Sequence, residues 1–454
     1  MELNIDLPVH TLARATINGS DFVTDAPTKD VLKNGDWISS EQDTQVKRRG
    51  SVQEGNDLAL RPLSRNRPTL QNGPEADDEV GREQGALTVD EEPSIEYLDG
   101  GFGWAIVAST FVITFHFLGF LYSWGVIQAD LLGKGLASSQ LLSVVGGLQA
   151  FWNAAGCIPA AWVIQKIGVR KTTLFGVVLN SLAVLLASFS TESLGGLIFL
   201  QGVVAGIACG TLFMAVYPLP SQYFMRKRGI ATGITSCGGG VGGAAWSLII
   251  QKLIDKFGLP WAYRFMALSF LVFGIPAALI LKEGVVRPRR QAGAAEKEQS
   301  IYRSSMFIRL VIACFVVSYP FFIPAFFIPQ YTISLGYSSS TGALFGAIYN
   351  VASGIGRLGF GIIADFVVGS SIVAQIVGSH RVNQAIGVIE LASSIGFLAG
   401  PISGGALLDA FGGPSAGAEA YKPAMYLVGG TTFVSVILAV WIRASYSRKL
   451  FVKA

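Results

Sequence analysis

Charge is scarce in this chain, and histidine scarcer still. Of 454 residues 14% are Asp, Glu, Lys or Arg, against 51% hydrophobic, and three are His. A soluble surface needs about a quarter of its residues charged, so the composition excludes an ordinary water-soluble protein. No nucleophile–His pair, metal-ligand spacing or nucleotide loop is present, which argues against an enzyme, a metal site or a bound cofactor. The cysteines Cys157, Cys209, Cys237 and Cys314 all fall inside apolar runs, where thiols pack as small hydrophobes. Met1 to Arg14 holds no long apolar core. No cleavable leader is therefore expected, and the first hydrophobic helix is expected to serve as the insertion signal.

The charge that is present is unevenly placed. Residues 1–99 carry 20 acidic and 10 basic side chains, and the remainder 10 acidic and 24 basic. The tail, 1–98, lacks apolar periodicity and is expected to be disordered and cytosolic. Within it Lys47-Arg48-Arg49-Gly50-Ser51 reads either as a basic-directed phosphorylation site or as a solvated charge run. From Trp104 onward come apolar runs of about 18–25 residues, each long enough to cross about 30 Å of hydrocarbon as helix. They predict ten spans, near 104–127, 140–163, 173–190, 197–219, 230–252, 265–282, 306–329, 341–365, 383–408 and 423–443. Lys166, Arg170, Lys171, Arg226, Lys227, Arg228, Arg287, Arg289 and Arg290 gather in alternate loops, whereas the other loops keep few cations. By the positive-inside rule both termini are expected in the cytosol. Cations confined to short loops between apolar runs also point to a membrane surface rather than nucleic acid. The expected organisation is a tail (1–98), a six-helix bundle (99–282), a charged linker (283–305), a second bundle of about four helices (306–445) and a short cytosolic tail (446–454).

Two stretches carry a family resemblance. One is Asp99-Gly100-Gly101-Phe102-Gly103-Trp104, before and into the first span. The other is Tyr223-Phe224-Met225-Arg226-Lys227-Arg228, continuing through Ala231 and Gly233 to Gly238-Gly239-Gly240 and Gly242-Gly243. Together they resemble the monocarboxylate porter family of the major facilitator superfamily, in its fungal monocarboxylate and riboflavin transporter-like branch, over about residues 97–445. The resemblance implies an all-α polytopic membrane protein with two pseudo-symmetric helix bundles that rock about a solute site between them. Each motif also has a local reading. Asp99 can cap the first helix, and Trp104 can anchor at the interface. The glycine run lets helices approach closely, as does Gly396-xxx-Gly400-Pro401-xx-Gly404-Gly405. The loop Gln165-Lys166-Ile167-Gly168-Val169-Arg170-Lys171 is similar to the general facilitator loop but has Gln165 where that motif carries Asp; the matching acid of the second bundle, Asp365, is retained.

Polar groups inside a bilayer are functional candidates. Arg357, mid-span in the eighth run, stands where the resemblance implies a carboxylate-binding Arg, and a guanidinium fork suits that anion; the alternative is a structural Arg bonded to backbone carbonyls. The family's neighbouring acid is Ser353 here, and its proton-linked Lys is Tyr122. His116 titrates in the physiological range or packs by hydrogen bonding. Gln149 and Asn153, four apart on one helical face, and Tyr217, Tyr349 and Asn350 either line the cavity or glue helices together. With Phe321, Phe322 and Phe326 they suit an amphipathic or aromatic solute. Pro320, Pro324 and Pro329 are expected to bend the seventh span. Glu390 is expected near the headgroups or on the pathway.

Twelve spans characterise the family and ten are found. The ninth and most of the tenth are expected to be missing after Asp365, with Ile372–Val377 as a remnant, which leaves the second bundle underpacked. The expected partners are a small-molecule solute, the lipid bilayer and, as candidate coupling ion, the proton. The expected location is the plasma membrane or a vacuolar or other internal membrane. The leading reading is transport of a monocarboxylate-like or riboflavin-like solute by alternating access. The alternative is a truncated, transport-inactive isoform, or a sensor or regulator of a full-length paralogue.

Overall fold

Long apolar runs dictate helix, because inside lipid only a helix pairs every backbone N–H and C=O within one segment. The computed structural model describes residues 100–224, 226–284, 305–363 and 382–446, and every regular element among them is helical. The first run is α1 (Phe102–Tyr122) and α2 (Trp124–Gly133), interrupted at Ser123. The second is α3 (Ser139–Ala155) and α4 (Cys157–Ile167), bent by 46° at Gly156. After α5 (Val169–Ala187) the fourth run combines α6 (Leu194–Leu197), a π-helical stretch Ile198–Val204, α7 (Ala205–Val216) and α8 (Pro220–Tyr223). The first bundle closes with α9 (Arg228–Phe257) and α10 (Leu259–Ile280). The second comprises α11 (Ser305–Phe321), α12 (Ile323–Ser334), α13 (Ser339–Ile363), α14 (Val382–Ala410) and α15 (Lys422–Tyr446).

Single glycines make the tightest connections. Gly168 alone separates α4 from α5, and Gly258 alone separates α9 from α10, at φ +82° and +83°. Only glycine holds that left-handed conformation cheaply, so two antiparallel helices meet with no intervening loop.

Eight helical runs among the described residues are long and apolar enough to cross a membrane, and the bent pair α3–α4 makes a ninth. The remaining one of the ten expected spans, the eighth, is α13, which has the length, 25 residues, but not the apolar density. Asn350, Arg357 and six glycines dilute it, and of these glycines Gly342 and Gly346 meet α12 while Gly354 and Gly361 meet α9. The first run extends to Gly133, past its expected end, and the sixth begins at Leu259, ahead of it. The seventh run, where three prolines led to the expectation of a bend, is interrupted at Phe322, between Pro320 and Pro324. Asp99, the tail, most of the linker, Asp365 and the expected remnant Ile372–Val377 lie outside the described residues.

The two bundles meet along two principal seams, α9 against α13 and α3 against α14, with α2 against α12 beside them. Glycines make the first seam close. A Cβ on Gly240 would stand 2.6 Å from the Cα of Gly354, and one on Gly233 3.4 Å from Gly361. The other face of α9 is equally tight on α1, where a Cβ on Gly238 would stand 2.8 Å from the carbonyl oxygen of Phe111. In the second seam Gly405 faces Ser139 and Gln140 of α3 across a similar gap, while Gly396 and Gly400 receive the backbone of α11 near Phe315 and Tyr319. Within the second bundle α13 leans on α12, α14 on α11, and α15 on α11 and α14. The most apolar stretch of α15 is only 6% buried, against 39–67% for the other spans.

Candidate functional site

The two motif stretches that lie more than a hundred residues apart meet at the end of the molecule where α1 begins and α8 ends. Trp104 packs on Phe224 at 4.9 Å between ring centroids and Phe102 on Tyr223 at 6.4 Å. Gly103 admits the Phe224 ring, which a Cβ would approach to 3.0 Å. The Tyr223 hydroxyl donates to the Lys282 carbonyl at 2.7 Å, and Arg170 Nε donates to the Leu281 carbonyl at 3.1 Å. With Gln165 exposed, it is Glu283 that supplies a carboxylate to this loop, accepting from the Val169 N–H at 3.3 Å. Gly101, at φ +54°, occupies the cap position of α1, and Gly100 precedes it in a bend. Arg226 and Arg228 stand at the turn into α9, whose Gly233 and Gly238 lie on opposite seams. This end of the protein is a structural clasp.

The candidate solute site lies deeper, between the bundles. Arg357 is half-buried on α13, with its guanidinium carbon 4.8 Å from the centroid of the Tyr122 ring and 5.9 Å from that of Phe321. A cation over an aromatic face in a dry setting is stabilised by the ring quadrupole. Its Nη1 donates to the Ser236 carbonyl of α9 across a long 3.4 Å, and Tyr349 is half-buried about two turns earlier on the same helix. No ion pair to it is formed among the described residues. Tyr217, at the end of α7, is stacked on Phe213 at 4.3 Å. Above the guanidinium an aromatic cluster closes the space: Tyr122 lies 5.9 Å from Phe322, Phe322 5.5 Å from Phe326, and Phe397 of α14 5.1 Å from Phe322. Asn350 is buried and donates to the Tyr122 carbonyl at 3.5 Å, so it ties α13 to α1.

Two of the expected site residues bond inside the first bundle. His116 is buried inside the first bundle, bonded through Nδ1 to the Val112 carbonyl at 2.9 Å and stacked on Phe270 at 5.2 Å. It is a packing histidine. Gln149 accepts from Gln201 Nε2 at 2.7 Å and donates to Cys209, which also receives Asn180 at 3.3 Å. Gln149 therefore faces the Gln201 stretch and α7 rather than the second bundle. The π-helical stretch puts Gln201 there, and nothing in the hydropathy pattern signals it. Asn153, one turn on, is buried with its side-chain oxygen without a hydrogen-bond partner among the described residues, while its backbone carbonyl accepts from the Cys157 thiol.

Sequence reasoning also passed over Asp409. At the end of α14 its carboxylate accepts from the backbone N–H groups of Ser139 at 3.2 Å and Gln140 at 2.9 Å, capping α3 of the other bundle. Asp255, at the end of α9, likewise receives the Ser340 hydroxyl at the start of α13, at 3.4 Å. An acid at the negative end of its own helix is misplaced unless it serves another helix's start, and that was the available signal.

Comparison with known proteins agrees with this architecture. The Major Facilitator Superfamily model matches residues 104–368. The MFS-type transporter pynF of Aspergillus niger is 28% identical over 267 residues, 58% of this chain and 61% of its own length, so the matched region spans about three fifths of that relative. Monocarboxylate transporter 13 of Bos taurus is 24% identical over 321 residues, 67% of this chain and 74% of its own. Among solved structures a point mutant of the nucleoside transporter NupG superposes with a TM-score of 0.55 at 11% identity, covering 75% of this chain and all of NupG, a likeness of fold alone. The helical bundles, their glycine-lined seams and a family model covering more than half of the residues lead to one assignment: this chain belongs to the Major Facilitator Superfamily.

Proposed function

We propose that the protein carries a small organic anion with an aromatic or otherwise apolar body across a bilayer, by alternating access between its two bundles. The observation behind this reading is Arg357. It holds a guanidinium on the seam, against rings from both bundles, without a protein carboxylate to neutralise it among the described residues. Burying a charge without its counter-ion is costly, and a carboxylate-bearing solute would relieve that cost while its apolar part meets Tyr122, Phe321, Phe322 and Phe397. The name of one relative, monocarboxylate transporter 13, supports the same chemistry, and a riboflavin-like ring system would suit the aromatic cluster equally. Proton coupling is not needed by this arrangement, since Tyr122 stands beside Arg357 and His116 packs elsewhere.

The test is uptake of radiolabelled benzoate into proteoliposomes. Arg357→Ala is expected to lower flux about 10- to 100-fold, the equivalent of one charge-assisted hydrogen-bonded contact. Arg357→Lys is expected to fall between, because the fork is lost and the charge kept. Equal flux in wild type and Arg357→Ala would remove Arg357 from the site.

A second reading, a non-transporting membrane regulator, draws on the exposure of α15, whose apolar stretch is 6% buried. It predicts no benzoate flux by the wild-type protein and recovery of the chain bound to a second membrane protein.

A further inference from the structure

The turn from α4 into α5 carries charge that the protein leaves unanswered. Lys166, Arg170 and Lys171 cluster there, and the sequence holds no Asp or Glu between Asp130 and Glu192. The carboxylate that reaches the turn is Glu283, on the Val169 N–H, and Arg170 is turned the same way, to the Leu281 carbonyl. Lys166 and Lys171 are exposed and form no ion pair among the described residues. Each lysine ends an exposed apolar row. On α4 Ile158, Trp162 and Lys166 recur at every fourth residue and share one face. Trp162 is 59% exposed, and Lys166 Nζ stands 3.5 Å from the centroid of its ring. On α5 Lys171, Phe175, Val178, Leu182 and Leu186 follow in steps of three or four and are all exposed. This second row is about 22 Å long, most of the hydrocarbon depth of about 30 Å. Because Gly168 alone joins the two helices, both cations stand at the same end of both rows. An ammonium resting on an indole face still has N–H donors for a second partner. Two apolar rows ending in two unpaired cations match a molecule with acyl chains and an anionic head.

We propose that the α4–α5 turn is a binding site for an anionic phospholipid, its headgroup phosphate held by Lys166 and Lys171 and its chains lying along the rows of Trp162 and Phe175. This lipid is a partner distinct from the carried solute, and its site stands independently of the reading of Arg357.

The experiment places the full chain in nanodiscs of phosphatidylcholine and adds either phosphatidylglycerol or phosphatidylcholine brominated on its chains. Bromine quenches nearby indoles, and the chain has eight Trp, so each protein is measured with and without Trp162→Phe to isolate the share of Trp162. In wild type that share is expected to be quenched at about 5- to 25-fold lower mole fraction by the anionic lipid, at about fivefold per lysine near the headgroups. Lys166→Gln combined with Lys171→Gln is expected to abolish the preference. Lys166→Arg combined with Lys171→Arg is expected to keep it, because the charge is retained. Lys227→Gln, which removes an exposed cation that belongs to neither row, is expected to leave it intact. A wild type without preference, a preference that survives the double Gln variant, or a preference lost in the double Arg variant overturns the proposal. So does an equal loss in Lys227→Gln, the mark of diffuse attraction to a basic surface.

Discussion

Two clusters of polar side chains lie in the apolar interior of this protein, and they behave in opposite ways. Inside the first bundle Gln149, Gln201, Asn180 and Cys209 bond to one another, and His116 bonds to its own helix and stacks on Phe270. Every contact named there begins and ends within that bundle. On the seam, Arg357 of α13 stands over Tyr122 of α1 and Phe321 of α11, groups from both bundles, and no ion pair to it is formed among the described residues. The same kinds of residue are glue in one place and a site in the other. What separates them is where the partners lie: polar groups satisfied within one rigid bundle are indifferent to rocking, while groups shared between bundles change surroundings when the bundles move.

That contrast can be broken by substitution. The largest effect is expected at the seam backbone. Gly240→Leu forces a side chain into the 2.6 Å separating its Cβ position from Gly354, an overpacking of about 1–3 kcal/mol or more that should appear as lost monodispersity and a lower Tm in detergent. Next comes the clamp between bundles. Asp409→Asn weakens the carboxylate cap on α3 by about 1–2 kcal/mol, and labelling of a cysteine placed at Gln140 should quicken as that end opens. A smaller effect belongs to the glue. Gln149→Leu should cost about 1 kcal/mol of thermal stability while leaving solute affinity within about twofold. The smallest is His116→Phe, which keeps the stacked ring and should change stability by about 0.5 kcal/mol or less. Its flux should have the same profile as wild type between about pH 5.5 and 7.5, since a histidine on the pathway would titrate there.

The helices were legible because lipid leaves the backbone no alternative, and the break at Phe322 lies among prolines that remove backbone donors. The glycines of α9 were legible as close-packing residues, but not which helix each would meet; Gly238 turns to α1 and Gly240 to α13. Hidden from the sequence were features set by long-range partners. His116 and Arg357 are both isolated ionisable residues in apolar runs, and only packing separates the ring stacked on Phe270 from the guanidinium over Tyr122. Gln201 is turned to Gln149 by a π-helical stretch with no hydropathy signature, and Phe397 joins the aromatic cluster from a helix whose register depends on the Gly400–Tyr319 approach.

The division between glue and site is tested most directly by saturable benzoate transport in Arg357→Ala and Gln149→Leu, reconstituted side by side and matched for folded protein. The expected result is a loss of transport of about 10- to 100-fold in Arg357→Ala with little change in Tm, and a lowered Tm in Gln149→Leu with its KM unchanged. A collapse of KM in Gln149→Leu together with wild-type transport by Arg357→Ala would place the solute inside the first bundle and contradict the account.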